Sequence, residues 1–186
     1  MSERHAFHPL TLDPRSAGKI SRYHTWERIR DQSVGEHTWQ LLRIILAIQP
    51  HASPELLRWT MFHDVGERVT GDVPFPVKRE HPELKRALDK MEHEALLQMA
   101  TTWGAVAGIQ ITDEEANLLK LAEFIEMYEW GCDEVALGNK SAVLVRDRCL
   151  AQALVLIEEA LLPNETVTTA MAYIQRRQKH EEKYRS

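Results

Sequence analysis

Residues 33–48 read Ser-Val-Gly-Glu-His-Thr-Trp-Gln-Leu-Leu-Arg-Ile-Ile-Leu-Ala-Ile. Ser33 and Glu36 stand three apart ahead of an apolar run, which is a capping box: the hydroxyl bonds an orphan amide and the carboxylate reaches back. Leu41, Leu42, Ile45 and Ile48 then recur at helical spacing, and Pro50 closes the segment. His37 falls in the first turn of this helix, four residues before Leu41, on the stripe that faces a core.

The same pattern repeats outward on both sides. Asp13-Pro14 supplies an N-cap and a proline at the first helical position, predicting a short helix through Ile20. Ser53-Pro54-Glu55 opens a helix with Leu56, Leu57, Trp59 and Met61 that is expected to run to about Arg68. Gly71-Asp72-Val73-Pro74-Phe75-Pro76 reads as a loop. An amphipathic helix follows from about Pro82 to Thr102. Thr112 to Glu115 is a second capping box, opening a helix to about Trp130. Ser141–Leu162 is apolar-striped, and a charged helix follows Asn164. No alternating strand pattern exceeds a few residues, and no repeat, linker or low-complexity segment divides the chain. The expected fold class is all-α, a compact helical bundle with residues 1–186 as a single domain.

Composition narrows the function. The chain has 186 residues, 44% hydrophobic and 27% charged, with a net charge of −5. That suits one globular domain with a sizeable core and disfavours a nucleic-acid-binding module, since no basic stripe is present. No apolar run reaches the roughly 20 residues of a membrane span. The start lacks a signal-peptide stretch and only two cysteines occur, Cys132 and Cys149, so a cytoplasmic location is expected.

The chemistry-bearing pair is His63-Asp64, directly after the apolar Met61-Phe62. Adjacent His and Asp can bind one cation only if the backbone lets neighbouring side chains converge. Glu67 lies four residues beyond His63 and three beyond Asp64, on the same helical side. Imidazole nitrogens with a carboxylate suit a divalent transition ion better than Mg²⁺. A lone His-Asp dipeptide is a common accident. The joint pattern Ser33-Val34-Gly35-Glu36-His37, His63-Asp64-Val65-Gly66-Glu67 and Thr70-Gly71-Asp72-Val73-Pro74-Phe75-Pro76-Val77-Lys78 is specific.

On these three segments the chain resembles the HD-domain metal-dependent phosphohydrolases. Within them it is most similar to the bacterial YfbR-like 5′-deoxynucleotidases and to phage deoxynucleoside triphosphate triphosphohydrolases. The resemblance spans about 21–130 and leaves 141–184 as C-terminal helices. It implies a metal held by His37, His63, Asp64 and a later aspartate, whose place falls in Lys120-Leu121-Ala122-Glu123. Glu123 departs from the family aspartate by one methylene. Leu118, Leu119, Ala122 and Ile125 around it suggest that it faces inward; otherwise it is a surface glutamate on a charged edge with Glu126 and Glu129.

The resemblance further implies Glu67 as proton handler, Asp72 as a sugar or leaving-group contact, and Arg22 as a phosphate-binding and catalytic arginine. Asp72 can also serve simply as a turn former. The resemblance places Tyr23, Thr25, Val73, Pro74, Phe75 and Lys78 around the substrate, with the Tyr23 ring against base or sugar. Arg28 and Arg30 read as a solvated charge run, His81 and His93 as surface histidines, and Trp39, Trp103 and Trp130 as core or interface rings.

The implied protein is a metal-dependent hydrolase of deoxynucleoside 5′-phosphates. It would use one divalent ion (Co, Mn, Zn, Ni or Fe rather than Mg) and bind a nucleotide, without nucleic-acid or membrane partners, as a homo-oligomer. Arg22-Tyr23-His24 is closer to the triphosphohydrolases, so release of triphosphate from a dNTP stays open beside release of phosphate from a dNMP. A ligand-binding protein on a decayed HD fold is the non-enzymatic alternative.

Overall fold

The computed structural model describes residues 7–8, 12–103, 108–159 and 161–184. The capping box at Ser33 forms as read: the Ser33 hydroxyl accepts from the Glu36 amide, the Glu36 carboxylate accepts from the Ser33 amide, and α2 runs Val34–Ile48. Leu41, Ile44 and Ile45 on its inner face are fully buried, each contributing about 1.5–3 kcal/mol by leaving water. They pack on Leu118, Leu121 and Ile125 of α7 (Asp113–Ala136). α8 (Ala142–Glu158) adds Ala153 and Ile157, and α9 (Asn164–Tyr184) adds Ala170 and Ile174 to the same core. α7 begins at the Thr112–Glu115 capping box and continues past Trp130 to Ala136. Gly131 lets α8 lie against it, because a Cβ there would stand 2.8–3.0 Å from Arg146.

A smaller apolar cluster joins Ala17 of α1 (Pro14–Ala17) to Val65 and to Ala95 and Met99 of α6 (Pro82–Trp103). α1 stops at Ala17, short of the expected Ile20. The chain then enters β1 (Ser21–Arg22), which pairs antiparallel with β2 (Gln32–Ser33), Arg22 facing Gln32. This ladder closes the 23–31 loop beside the start of α2.

The segment expected as one helix from Pro54 to about Arg68 is broken. α3 ends at Phe62, residues 63–66 form tight turns, and α4 occupies Glu67–Thr70. The amides of Val65, Glu67, Arg68 and Val69 each bond the carbonyl three residues back, a tighter winding than α-helix. Gly66 explains the fit: a Cβ there would sit 2.6 Å from the Glu92 Cβ on α6. The expected loop is shorter than read. Phe75 and Pro76 open α5 (Phe75–Glu80), with proline in the first turn where its fixed φ and missing amide cost nothing. α8 ends at Glu158, short of Leu162. Trp130 is buried, whereas Trp39 and Trp103 are exposed, Trp39 by 60%, and contribute nothing to this chain's core.

Candidate active site

The turns at 63–66 carry His63 and Asp64 off the end of α3, and both side chains reach one point beside His37. The Asp64 carboxylate lies 3.2 Å from His63 Nε2 and 3.5 Å from His37 Nε2. Ligand atoms of His37, His63 and Asp64 all fall within 4.8 Å of one another, the one such cluster among the described residues. The rings sit with centroids 5.8 Å apart. Each ring's rear nitrogen is already engaged. His63 Nδ1 is 2.8 Å from the Thr60 carbonyl and His37 Nδ1 is 2.9 Å from Glu126 Oε2. With a proton on each Nδ1, both Nε2 lone pairs face the Asp64 carboxylate, which is the donor set a divalent transition ion takes. In the metal-free protein burial opposes the charged imidazolium of His63, but Asp64 beside it raises its pKa to about 9. Asp64 in turn is held well below the usual carboxylate range by His63 and His37, against its own burial.

Glu67 lies one turn further on, 6% exposed. Its Oε1 is 3.4 Å from Lys78 Nζ of α5, and its Oε2 is buried with no protein partner. Burial, then Asp64 and Asp72, push its pKa to about 8 against the pull of Lys78. An orphaned oxygen on a carboxyl poised near neutrality suits a site that holds water or substrate.

Gly71, at φ 73°, turns the chain so that Asp72 points across to the first loop, where its carboxylate accepts from the Tyr23 amide at 3.3 Å. Tyr23 itself has φ 55°, a left-handed backbone that a non-glycine residue adopts only under tertiary constraint. The constraint is visible: its ring stacks on Trp130 at 4.0 Å and its carbonyl accepts from Arg28 at 2.9 Å. The ring expected to meet base or sugar is thus stacked on α7. Arg28, read as a solvated charge, holds this loop through Asp31 and Tyr23; Arg30 lies 4.0 Å from Asp133. Arg22 is 13% exposed and donates to Gln32 at 3.2 Å and Glu126 at 3.3 Å. Thr25 and Phe75 are exposed, and Val73, Pro74 and Lys78 are half-buried. Exposed His81 pairs with Glu83, and His93 is exposed.

Two carboxylates of α7 also differ from the sequence reading. Glu123 stands outside the close His37–His63–Asp64 cluster, though its charge acts on His63. Its side chain is 28% exposed and its carboxylate pairs with Lys120 at 3.5 Å, one turn away on the same face. Glu126 is no part of a charged edge. It is 2% exposed and carries three bonds: from His37, from Arg22, and from Gln32 at 2.6 Å. The signal was present, since Glu126 follows Leu119 by seven and Ala122 by four residues and so lies on the buried stripe of α7. A cleft of about 300 Å³ reaches Glu126 and Gln32 past Arg30, Trp39 and Arg43, and is not lined by His37, His63 or Asp64.

His37 from the first turn of α2 meets His63 and Asp64 from the broken end of α3, the arrangement that the sequence resemblance to HD-domain phosphohydrolases implies. The whole-chain comparison agrees: a cyanophage S-2L HD phosphohydrolase (DatZ), bound to dA and one catalytic Zn²⁺ ion, superposes with a TM-score of 0.71 at 20% identity. The match covers 94% of this chain and 98% of that one. The 5′-deoxynucleotidase YfbR-like family matches residues 16–160, and the chain belongs to that family of hydrolases. A Vibrio vulnificus 5′-deoxynucleotidase is 29% identical over 147 residues, 69% of this chain and 76% of the relative. The Cronobacter sakazakii 5′-deoxynucleotidase is 26% identical over the same length, covering 74% of the relative. Among the described residues no helix is long and apolar enough to cross a membrane.

Proposed function

We propose that the protein is a metal-dependent 5′-deoxynucleotidase that releases phosphate from deoxynucleoside 5′-monophosphates. The observation that carries this is the convergence of His37, His63 and Asp64 beside a buried carboxyl, Glu67, in a chain of the 5′-deoxynucleotidase family. His37, His63 and Asp64 would hold one divalent ion, with Zn²⁺, Co²⁺, Mn²⁺, Ni²⁺ and Fe²⁺ favoured over Mg²⁺ by the two imidazoles. Glu123 would complete the set by leaving Lys120. A divalent ion held there would supply Lewis acidity toward the phosphoryl group and lower the pKa of water.

Chain residues account for the rest. With the ion bound, its charge would keep Glu67 ionised, so that Glu67 takes the proton as the water oxygen bonds to phosphorus; the P–O5′ bond breaks and the departing 5′-oxygen takes up that proton in turn. Asp72 would contact the sugar or the departing 5′-oxygen. Arg22 and Lys78 balance phosphate charge, Arg22 by its fork and Lys78 as a point charge. Thr25, Val73, Pro74 and Phe75 would frame the nucleoside side, and Tyr23, its ring stacked on Trp130, would shape the loop that carries Thr25.

Release of triphosphate from a dNTP is the second reading. It is favoured by Arg22-Tyr23-His24 and by Lys120, which lies 5.5 Å from the Phe75 ring and adds a cation near Lys78's helix. Both reactions attack the same phosphorus, and only room and charge beyond it differ. A panel of dNMPs and dNTPs, scored separately for inorganic phosphate and triphosphate, decides. Phosphate from dNMPs alone establishes the first reading, and triphosphate from dNTPs replaces it. No product from any nucleotide in zinc-, cobalt- or manganese-loaded protein overturns both.

A further inference from the structure

Glu126 is an ionisable side chain in the middle of α7, 2% exposed, at a position where the apolar stripe calls for a hydrophobe. An unpaired charge there would be strongly destabilising, so its partners define its task. Oε2 accepts from His37 Nδ1 at 2.9 Å and from Arg22 Nη1 at 3.3 Å. Oε1 accepts from Gln32 Nε2 at 2.6 Å, and the Gln32 carbonyl oxygen accepts from the same Arg22 nitrogen at 3.2 Å. One carboxylate therefore ties together two groups from different segments: a ring at the start of α2 and a guanidinium on β1.

We propose that Glu126 is a positioning residue that sets the metal-ligating face of His37 and the phosphate-facing arm of Arg22 together, coupling metal affinity to phosphate affinity through one buried carboxylate. This rests on the reading of His37 as a ligand and Arg22 as a phosphate partner. Accepting the Nδ1 proton fixes the His37 tautomer, leaving Nε2 toward Asp64, and the negative charge makes the imidazole a better donor to a cation. Sharing the same oxygen with Arg22 restrains that side chain to one end of the site, with further Arg22 donors left for an oxyanion. Gln32 acts as the brace. It faces Arg22 across the two-strand ladder and holds the second carboxylate oxygen, so the carboxylate cannot swing toward the metal side.

The test measures Zn²⁺ affinity by competition with a chromophoric chelator, without nucleotide, and then KM and kcat on the best nucleotide. Glu126→Met is expected to raise the Zn²⁺ Kd tenfold or more, the range seen when a ligand's hydrogen-bond partner is removed. It should also raise KM. Glu126→Gln, which keeps one acceptor oxygen but no charge, should fall between it and wild type. Arg22→Ala should raise KM while leaving the Zn²⁺ Kd within twofold. In metal-free wild type, long-range ¹H–¹⁵N spectra should place the His37 proton on Nδ1.

A carboxylate that served only packing would lower Tm in both Glu126 variants and leave Zn²⁺ Kd and KM of the folded protein unchanged. That result, or a His37 proton on Nε2, overturns the proposal. If neither Glu126 variant folds, Gln32→Ala decides: a rise in both Zn²⁺ Kd and KM supports the coupling, and unchanged values overturn it. Because the zinc titration needs no substrate, a protein that hydrolyses no deoxynucleotide yet loses zinc affinity in Glu126→Met refutes the nucleotidase reading alone.

Discussion

Glu67 shows how much a single carboxyl depends on its surroundings. Burial, Asp64 and Asp72 raise its pKa from an ordinary 4.5 to about 8, so the folded protein holds a proton there that the unfolded chain has already released. Between those values the unfolded state binds fewer protons, so this group makes stability fall as pH rises. In chelator-treated protein, the Tm advantage of Glu67→Gln over wild type should therefore grow from pH 5 to pH 8. A gap that stays constant across that range removes the raised pKa. At the same position, Glu67→Gln should bind zinc with near-normal affinity and lose 10²–10⁴-fold in kcat, the usual contribution of a positioned proton acceptor. Asp64→Ala, by contrast, should lose the metal. Zinc content and kcat measured on both variants separate a proton handler from a ligand. His37, His63, Asp64 and Glu67 were legible in the sequence because residue type and spacing announced them. Glu126 was not, because a glutamate on a helix is ordinarily solvated and only its place on the apolar stripe said otherwise.

At the scale of elements, the decisive feature is where α3 stops. Apolar periodicity through Met61-Phe62 continues smoothly toward Arg68, so a reading by period extends the helix. The fold ends α3 at Phe62 instead and turns at 63–66, and adjacent His63 and Asp64 reach one point although successive residues of a helix point apart. Gly66 permits that turn beside α6. In Gly66→Ala the new methyl would stand 2.6 Å from the Glu92 Cβ and 2.8 Å from its backbone, with no flexible side-chain end to give way. Overpacking of this kind costs about 1–3 kcal/mol. Thermal unfolding should show that loss together with weaker zinc binding, since α4 and the turn before it must shift. A wild-type Tm and zinc Kd would show that α6 yields freely. The α2 and α7 starts were readable because capping boxes are local chemistry. The break after Phe62 was not, because the residue that packs against its turn at Gly66 lies 26 residues away at Glu92.

At the scale of the molecule, α7 organises the site from behind. Glu126 holds His37 and Arg22, Trp130 stacks Tyr23, and Glu134, buried near the helix end, accepts from the amides of Ile29 and Arg30 at 2.7 and 2.9 Å and from Asn139 at 2.8 Å. The 23–31 loop is thus pinned to α7 at both ends. Glu134→Ala should cost about 3 kcal/mol, since it strips a buried carboxylate from two amides and a side-chain donor. It should raise KM more than it changes zinc affinity, because the loop carries Tyr23 and Thr25 but no residue of the metal cluster. Equal effects on both would mean that Glu134 supports the whole bundle rather than the loop.

The sequence by itself determined the helical class, the capped starts of α2 and α7, the inward-facing His37 and the His63-Asp64-Glu67 constellation. All of these depend on neighbours within a turn or two, where spacing translates directly into geometry. Tertiary structure alone decided that α3 breaks, that Tyr23 turns its ring onto Trp130, that Glu123 rests against Lys120 while Glu126 enters the site, and that Arg22 and His37 share one carboxylate. The reason is distance along the chain: Arg22 and Glu126 are 104 residues apart, and His37 and Glu126 are 89. Nothing in local spacing links such residues; they meet because the apolar faces of α2 and α7 are buried against each other.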